Sequence, residues 1–348
     1  MISQSFHTAA DATQGTLQAD DLLKDYYTTI FPHPFFSQAA GNIGGDGISP
    51  ANNEFVNHKT YNCFSVGNHD DTATNLNPTS VFRNPLSPHG DREQPEICAN
   101  GVTVSAVDVT PAMQATGTSF ATPAVAGVAV LLQQIDLRLR GWPEGMRAVL
   151  LAGAGRKISG NTWWTDVQRG PGGQNISDVG DGAGCLNAEA SRQITAGYVY
   201  NPNNSSLPSP TGYAIGSADL PGSFDASRRS KFFYYIRSPM TGPLGGLNKQ
   251  RTFKIALAWN SKFSIGISGG LPVLQDKLAI DLDLEITDAE TGLFVGWSAS
   301  FDNSYEVVEF QGVADKTYKI AIVLSGYDEP STKVWYGLAW RSKYLTEE

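Results

Sequence analysis

Apolar residues recur along this chain with two different periods, and the change from one to the other divides the sequence. In 21–30, DLLKDYYTTI, they return at three- and four-residue steps and predict a helix. The following QAAGN at 38–42 predicts a short buried strand that breaks into a Gly-rich loop. TYNCFSVG at 60–67 and GVTVS at 101–105 predict two further strands. From Thr118 the helical period returns strongly, with Ala121, Val125, Val128 and Leu131/Leu132 marking a long apolar helix through Gln134. WPEGMRAVLLA at 142–152 predicts another helix, with Pro in its first turn. Strands alternating with helices imply an α/β unit, a mostly parallel sheet with helices on both faces.

After about residue 192 the pattern gives way to Gly, Pro, Ser and Asn, including NPNNSSLPSPTG at 201–212, which is linker or long-loop composition. Segments 231–236, 253–259, 278–286, 318–324 and 334–338 follow, several alternating at period two and each bounded by turn residues. The expectation is an antiparallel β-sandwich, jelly-roll-like, with domains spanning 1–192 and 193–348.

Composition narrows the function classes. A chain of 348 residues is long enough for two domains that each bury a core, and 41% apolar with 17% charged residues excludes a disordered chain. The formal charge of −9 and pI near 5.1 argue against nucleic acid as a partner, since counterion release needs clustered Lys and Arg. Cys63, Cys98 and Cys185 are odd in number and far apart, so they form no metal-ligand spacing and at most one bridge. Sequons at Asn175, Asn203 and Asn204 point to a secreted, extracellular protein. The first six residues show neither a basic leader nor an apolar run, so neither a signal peptide nor a membrane partner is expected from them.

Chemistry concentrates in Gly117-Thr-Ser-Phe-Ala-Thr-Pro-Ala-Val-Ala-Gly127, at the junction of a loop with the long helix. The first turn of a helix leaves backbone N–H groups unpaired and favours negative charge, so Ser119 sits where an oxyanion could be held. Gly117 lets the backbone approach a bound chain, and Pro123 falls where a missing N–H costs least. A lone Thr118 or Ser119 in such a place is ordinarily just a helix cap. The eleven-residue string resembles the serine motif of the subtilisin-like peptidases, whose Ser is the nucleophile. Ala39-Ala-Gly-Asn42 is similar to the family's oxyanion strand end, where a neutral amide stabilises charge without competing for a proton. EQPEICANGV at 93–102, DGAGCLNA at 181–188 and ISQSF at 2–6 resemble further family segments in the same order.

The resemblance covers residues 1 to about 192 and implies a serine endopeptidase acting through an acyl-enzyme on Ser119, with Asn42 in the oxyanion hole. It also implies a polypeptide substrate lying against Ser5, Phe6, Ala39, Ala40, Gly41, Gly117 and Thr118. The family's triad runs Asp, His, Ser along the chain, so both partners should precede Ser119. None of His7, His33, His58, His69 and His89 lies in the family's His-Gly-Thr-His pattern. The expectation is a partial subtilisin-like sheet lacking the Asp and His segment, inactive alone, with a complementing N-terminal peptidase segment as partner. The alternative is a non-catalytic polypeptide- or glycan-binding protein on the same scaffold. Sedolisins share Gly-Thr-Ser, but their oxyanion residue is acidic, and Asn42 argues against them. No cofactor is required; Asp281, Asp283, Asp302 and Glu306 near Gly-containing turns could bind Ca²⁺.

Overall fold

The computed structural model describes residues 1–6, 17, 19–44, 56–72, 75–82, 94–106, 113–155, 182–199, 202–204, 208–238, 250–262, 265–268, 271–274, 278–330 and 332–344. In the first half, β1 (Ile2–Gln4), β2 (Phe36–Ala39), β3 (Phe64–His69) and β4 (Ile97–Asn100) form a parallel sheet in that order, and α1 (Ala19–Thr29) lies between β1 and β2 in sequence. Register pairs Ile2 with Phe36, Ser37 with Phe64 and Val66 with Ile97. Every residue of β2 and β3 is buried, the continuous pattern that a sheet covered on both faces requires. The strand expected at 101–105 lies instead at β4. The chain turns at Gly101, whose N–H bonds His69 O, and Val104–Ala106 (β5) pairs antiparallel with Met113–Ala115 (β6).

The helix predicted from Thr118 is α2 (Thr118–Ile135). Ala121, Val125, Ala129 and Leu132 form its buried stripe against the parallel strands, and their small volumes bring the helix close to the sheet. By length and composition α2 could cross a membrane, but that stripe is occupied by the sheet, while Val130, Leu131 and Ile135 are exposed. The next helix, α3 (Pro143–Gly153), is buried at every residue. A helix buried all round has to lie between layers. α4 (Ala188–Ala196) follows, capped by Asn187 Oδ1 accepting from Ala190 N–H at 2.9 Å.

The second layer belongs to the C-terminal strands: β7 (Thr211–Asp219), β8 (Tyr234–Arg237), β9 (Gln250–Trp259), β10 (Ile265–Ser268), β11 (Leu271–Leu274), β12 (Ile280–Asp288), β13 (Phe294–Ser298), β14 (Tyr305–Val313), β15 (Thr317–Tyr327) and β16 (Lys333–Tyr344). Among the described residues they build two antiparallel sheets of four, ordered β13-β12-β15-β8 and β14-β9-β16-β7, and a small β10-β11 pair. β12 alternates buried and half-buried residues strictly, as an outer strand with one dry face should. β9 does not alternate, because both its faces are dry. Phe253, Ile255, Leu257 and Trp259 join the cluster between the two sheets, while Ala256 and Ala258 join the cluster that contains Met146, Val149 and Leu150 of α3.

One core therefore runs across residue 192, with Tyr213, Tyr305, Val307 and Ala339 packed in the same cluster as α2 and α3. Contact is close enough to exclude a side chain: a Cβ on Gly337 would lie 2.4 Å from Glu144 O and from Gly145 Cα. Buried polar groups cross the same interface. Arg147 donates to Trp259 O at 3.0 Å and Ser304 Oγ at 2.9 Å, and Lys254 Nζ reaches Ala183 O at 2.6 Å and Glu309 Oε1 at 3.0 Å.

This burial sets a pH dependence. Burial pushes the carboxyl of Glu144 up to about 7 despite the nearby Arg147, and that of Asp283 up to about 6 despite a bond from Ser325. Glu306 is raised well above its ordinary value by burial and by Asp283. Groups whose folded values are raised hold more protons folded than unfolded, so their favourable contribution is complete below the ordinary carboxylate range and is lost as pH rises through about 6 to 7. Denaturant midpoints should fall between about pH 5 and about pH 8, with Glu144 alone contributing on the order of 2–3 kcal/mol. The Glu144→Gln variant should flatten that slope; an unchanged slope would exclude Glu144 as its source.

Candidate active site

The site forms where β2 ends and α2 begins. After Ala39 the chain continues through the buried Ala40, whose N–H bonds Val66 O at 3.0 Å, and turns at Gly41, where φ is +120°. A Cβ there would stand 2.7 Å from Asn57 Nδ2, so both conformation and space demand glycine. The turn delivers Asn42, half-buried, to the N-terminus of α2. Gly117 provides no side-chain cap, and Asn42 acts in its place: Thr118 N–H donates to Asn42 Oδ1 at 2.9 Å. The buried Thr118 hydroxyl closes the junction by accepting from Gly41 N–H at 3.1 Å, and Ser37 Oγ bonds Thr122 O at 3.0 Å one turn later.

Because Oδ1 faces the Thr118 N–H, the Asn42 amide has a defined orientation, with Nδ2 as its donor. Ser119, half-buried, is the next residue along. Its hydroxyl donates to Ser5 O at 3.2 Å, and Ser5 Oγ returns a bond to Ser119 O at 2.9 Å. This reciprocal pair ties the segment after β1 to the first turn of α2. Ser5 and Phe6 are exposed there, Phe6 at 72%. Gly117 is buried, and Ala39, Ala40 and Gly41 are buried behind Thr118, with Ala40 O accepting from Asn57 N–H and Gly41 O from Val81 N–H. The residues singled out from the sequence thus meet where the ends of β1 and β2 reach the start of α2.

Of the histidines, His7 and His89 lie outside the described residues. His33 Nδ1 is 3.2 Å from Thr28 O, and His69 Nδ1 is 2.5 Å from Asp70 O. His58, fully buried, is placed with its Nε2 2.8 Å from Phe6 O and its Nδ1 3.0 Å from Lys24 Nζ. Burial opposes the Lys24 charge, but Asp21 and Asp20 outweigh it and hold the ammonium above its ordinary value. An ammonium only donates, so His58 Nδ1 accepts and Nε2–H donates to Phe6 O. His58 therefore positions the chain beside Ser5 rather than serving as a base. No periodicity or motif in the sequence marks that role. Asp20, Asp21 and His58 are close enough for a metal, yet the Lys24 ammonium already sits 3.3 Å from Asp20 and 3.4 Å from Asp21.

The carboxylates considered for calcium divide into Asp302 and a group in which the charges of Asp283 and Asp281 act on Glu306. Asp302 Oδ1 accepts from Tyr61 OH at 2.7 Å across the two halves, while Glu306 takes the Ser298 hydroxyl and Ser300 N–H, and Asp283 takes the Ser325 hydroxyl. The three cysteines are buried, with no disulfide among them.

The sequence pattern of the subtilase family matches residues 2–184. A search of curated proteins found no match. Among solved structures, the self-cleaved protease domain of PatA is 23% identical with a TM-score of 0.30, covering 46% of this chain and 49% of that one. MycP1 with its N-terminal propeptide removed is 20% identical with a TM-score of 0.31, covering 49% of this chain and 54% of that one. The pre-peptidase C-terminal domain of a Bacillus anthracis collagenase is 6% identical with a TM-score of 0.21, covering 42% of this chain and 93% of that domain. The chain spans about half the length of the protease structures it matches.

Proposed function

Because this chain belongs to the subtilase family, a family of serine peptidases, we propose that it carries the nucleophile and oxyanion half of a serine endopeptidase. In that reaction Ser119 Oγ attacks a peptide carbonyl carbon and its proton passes to a general base. The C–N bond breaks, the leaving amine takes the proton, and water then hydrolyses the acyl-enzyme to release acid and free Ser119. The carbonyl oxygen, negative in the tetrahedral stage, receives hydrogen bonds from Asn42 Nδ2 and from backbone N–H groups at the start of α2. The observation that carries this reading is the bond from Thr118 N–H to Asn42 Oδ1, which puts the amide beside the residue that precedes Ser119.

Substrate in this proposal is polypeptide in an extracellular setting, passing over Ser5, Phe6 and Gly117, with Ala39, Ala40, Gly41 and Thr118 as the floor. The general base and its orienting Asp come from a complementing N-terminal peptidase segment. Two features support such a partner: β1 has β2 as its sheet neighbour and an open edge among the described residues, and the flanking Ile2 and Phe6 are exposed. Alone, the Ser119 hydroxyl faces a carbonyl oxygen, and a hydroxyl of ordinary acidity is a poor nucleophile.

That same pairing favours the second reading, a non-catalytic binder of polypeptide or glycan. A fluorophosphonate probe separates the two. Labelling at Ser119 that appears when a segment bearing the Asp and His is supplied supports the peptidase; silence in a complex proven to contain that segment supports the binder. Calcium enters as a further proposal, neutralising the carboxylates of Asp281, Asp283 and Glu306. A melting temperature that rises with Ca²⁺ and reverts with chelator is its signature, and an unmoved one excludes it.

A further inference from the structure

A cavity of about 370 Å³ opens where the α2–α3 connection meets the C-terminal sheets, within the range of small-molecule sites. Its lining includes Trp142, Glu144, Asn260, Lys262, Lys333 and Trp335, residues that the peptidase reading does not use.

The walls are indole. Trp142 and Trp335 stand edge to face with ring centres 5.2 Å apart, and Trp335 is half exposed. Trp142 donates its indole N–H to Tyr336 O at 3.2 Å, so it presents carbon to the cavity. Two of the inner polar groups offer acceptor oxygens, Asn260 and Glu144. Asn260 is 9% exposed, and its Oδ1 is buried without a hydrogen-bond partner, which costs about 1–3 kcal/mol unless a ligand or water supplies a donor. Glu144 is also buried, and burial pushes its carboxyl up to about 7.

At the rim the charges are offset. Lys262 lies 3.9 Å from Glu329 and donates to Thr332 Oγ1 at 3.1 Å; Lys333 lies 3.8 Å from Asp219. A cation would meet two ammonium groups here, and an anion would meet buried acceptors. A neutral molecule with an apolar face and several hydroxyls suits these groups: its C–H face would lie on an indole, and its O–H groups would donate to Asn260 Oδ1 and Glu144.

We propose that this cavity binds a pyranose ring, free or as the terminal unit of a glycan, between Trp335 and the acceptor Asn260. The site is independent of Ser119, so its failure leaves the peptidase reading untouched.

Titration of the full chain with methyl pyranosides of the common hexoses and N-acetylhexosamines, followed by tryptophan fluorescence and saturation-transfer NMR, tests it. At least one glycoside should bind saturably. Trp335→Ala should weaken it about tenfold or more, as should Asn260→Leu, which keeps the volume and removes the acceptor. Both variants are checked first by their melting curves; Trp335 is exposed enough to be replaced without touching the core. Tighter binding of short oligosaccharides than of the single ring identifies a glycan terminus, and equal binding identifies a free sugar. The proposal is overturned if no glycoside binds, if binding survives both substitutions, or if tetramethylammonium binds instead.

Discussion

Replacing Arg147 with Ala is expected to destabilise both halves of the molecule together, by about 2–5 kcal/mol, the scale for truncating a large buried side chain to Ala. The guanidinium is fully buried in α3, donates to Trp259 O and Ser304 Oγ, and has the Tyr305 ring centre 6.0 Å away. Truncation removes a large side chain from a closed layer and deprives an internal carbonyl of its donor, so cavity and desolvation costs add. Globular chains carry only ~5–15 kcal/mol in total. Arg147→Lys retains a charge but reaches one acceptor at a time, and should fall between wild type and Ala. Because the same cluster holds Met146, Val149, Ala256 and Val307, far-UV and near-UV signals should move through one coincident transition. Two separated transitions, with the C-terminal sheets surviving loss of the parallel sheet, would show that the shared core does not couple the halves.

That shared core is what local pattern reading could not supply. The periods for α2 and α3 read directly because both helices are strongly apolar, whereas α1 was legible from Leu22, Leu23, Tyr26 and Tyr27, of which the fold buries Leu22 together with Asp21, Lys24, Asp25 and Thr28. β9 and β16 read as strands because they are rich in β-branched and aromatic residues. The alternation of β12 was equally plain. Nothing in the sequence, however, says that Ala256 and Ala258 face a helix rather than water; their small side chains are consistent with either, and only the path of α3 decides it. β14 escaped notice for the same reason: six successive buried residues, Tyr305 to Phe310, include two glutamates, so the segment neither alternates nor looks apolar.

At the site, the eleven residues from Gly117 to Gly127 and the four from Ala39 to Asn42 were readable through their resemblance to the subtilisin-like serine and oxyanion segments, and the fold shows the backbone constraints beneath them: a turn that only glycine fits, a helix start capped from outside. The Ser5–Ser119 pair and the role of His58 join residues 114 and 52 positions apart without any local signature, and emerge only from the fold.

With the Asp- and His-bearing segment supplied, Ser119→Ala should abolish turnover, and loss of the Asn42 donor should reduce kcat by about 10²–10³, the magnitude that loss of one oxyanion donor has in a subtilisin. The difficulty is that the proposal gives Asn42 two jobs: its Oδ1 holds the Thr118 N–H, and its Nδ2 would donate to the oxyanion. Asn42→Leu removes both, so a fall in rate could follow from a loosened α2 start. Asn42→Asp divides them. The aspartate retains an acceptor for Thr118 N–H and favours the positive end of α2, so the melting temperature should stay closer to wild type than in Asn42→Leu. It replaces the donor with a negative oxygen facing the charge that develops in the tetrahedral stage, so kcat should fall at least as far as in Asn42→Leu while KM changes little. If the Asp variant retains wild-type kcat, Asn42 is a cap and nothing more, and the oxyanion must be held elsewhere. If instead rate and stability fall in proportion across both variants, the amide acts by positioning Thr118 and Ser119, and the chemistry rests on the backbone N–H groups of α2 alone.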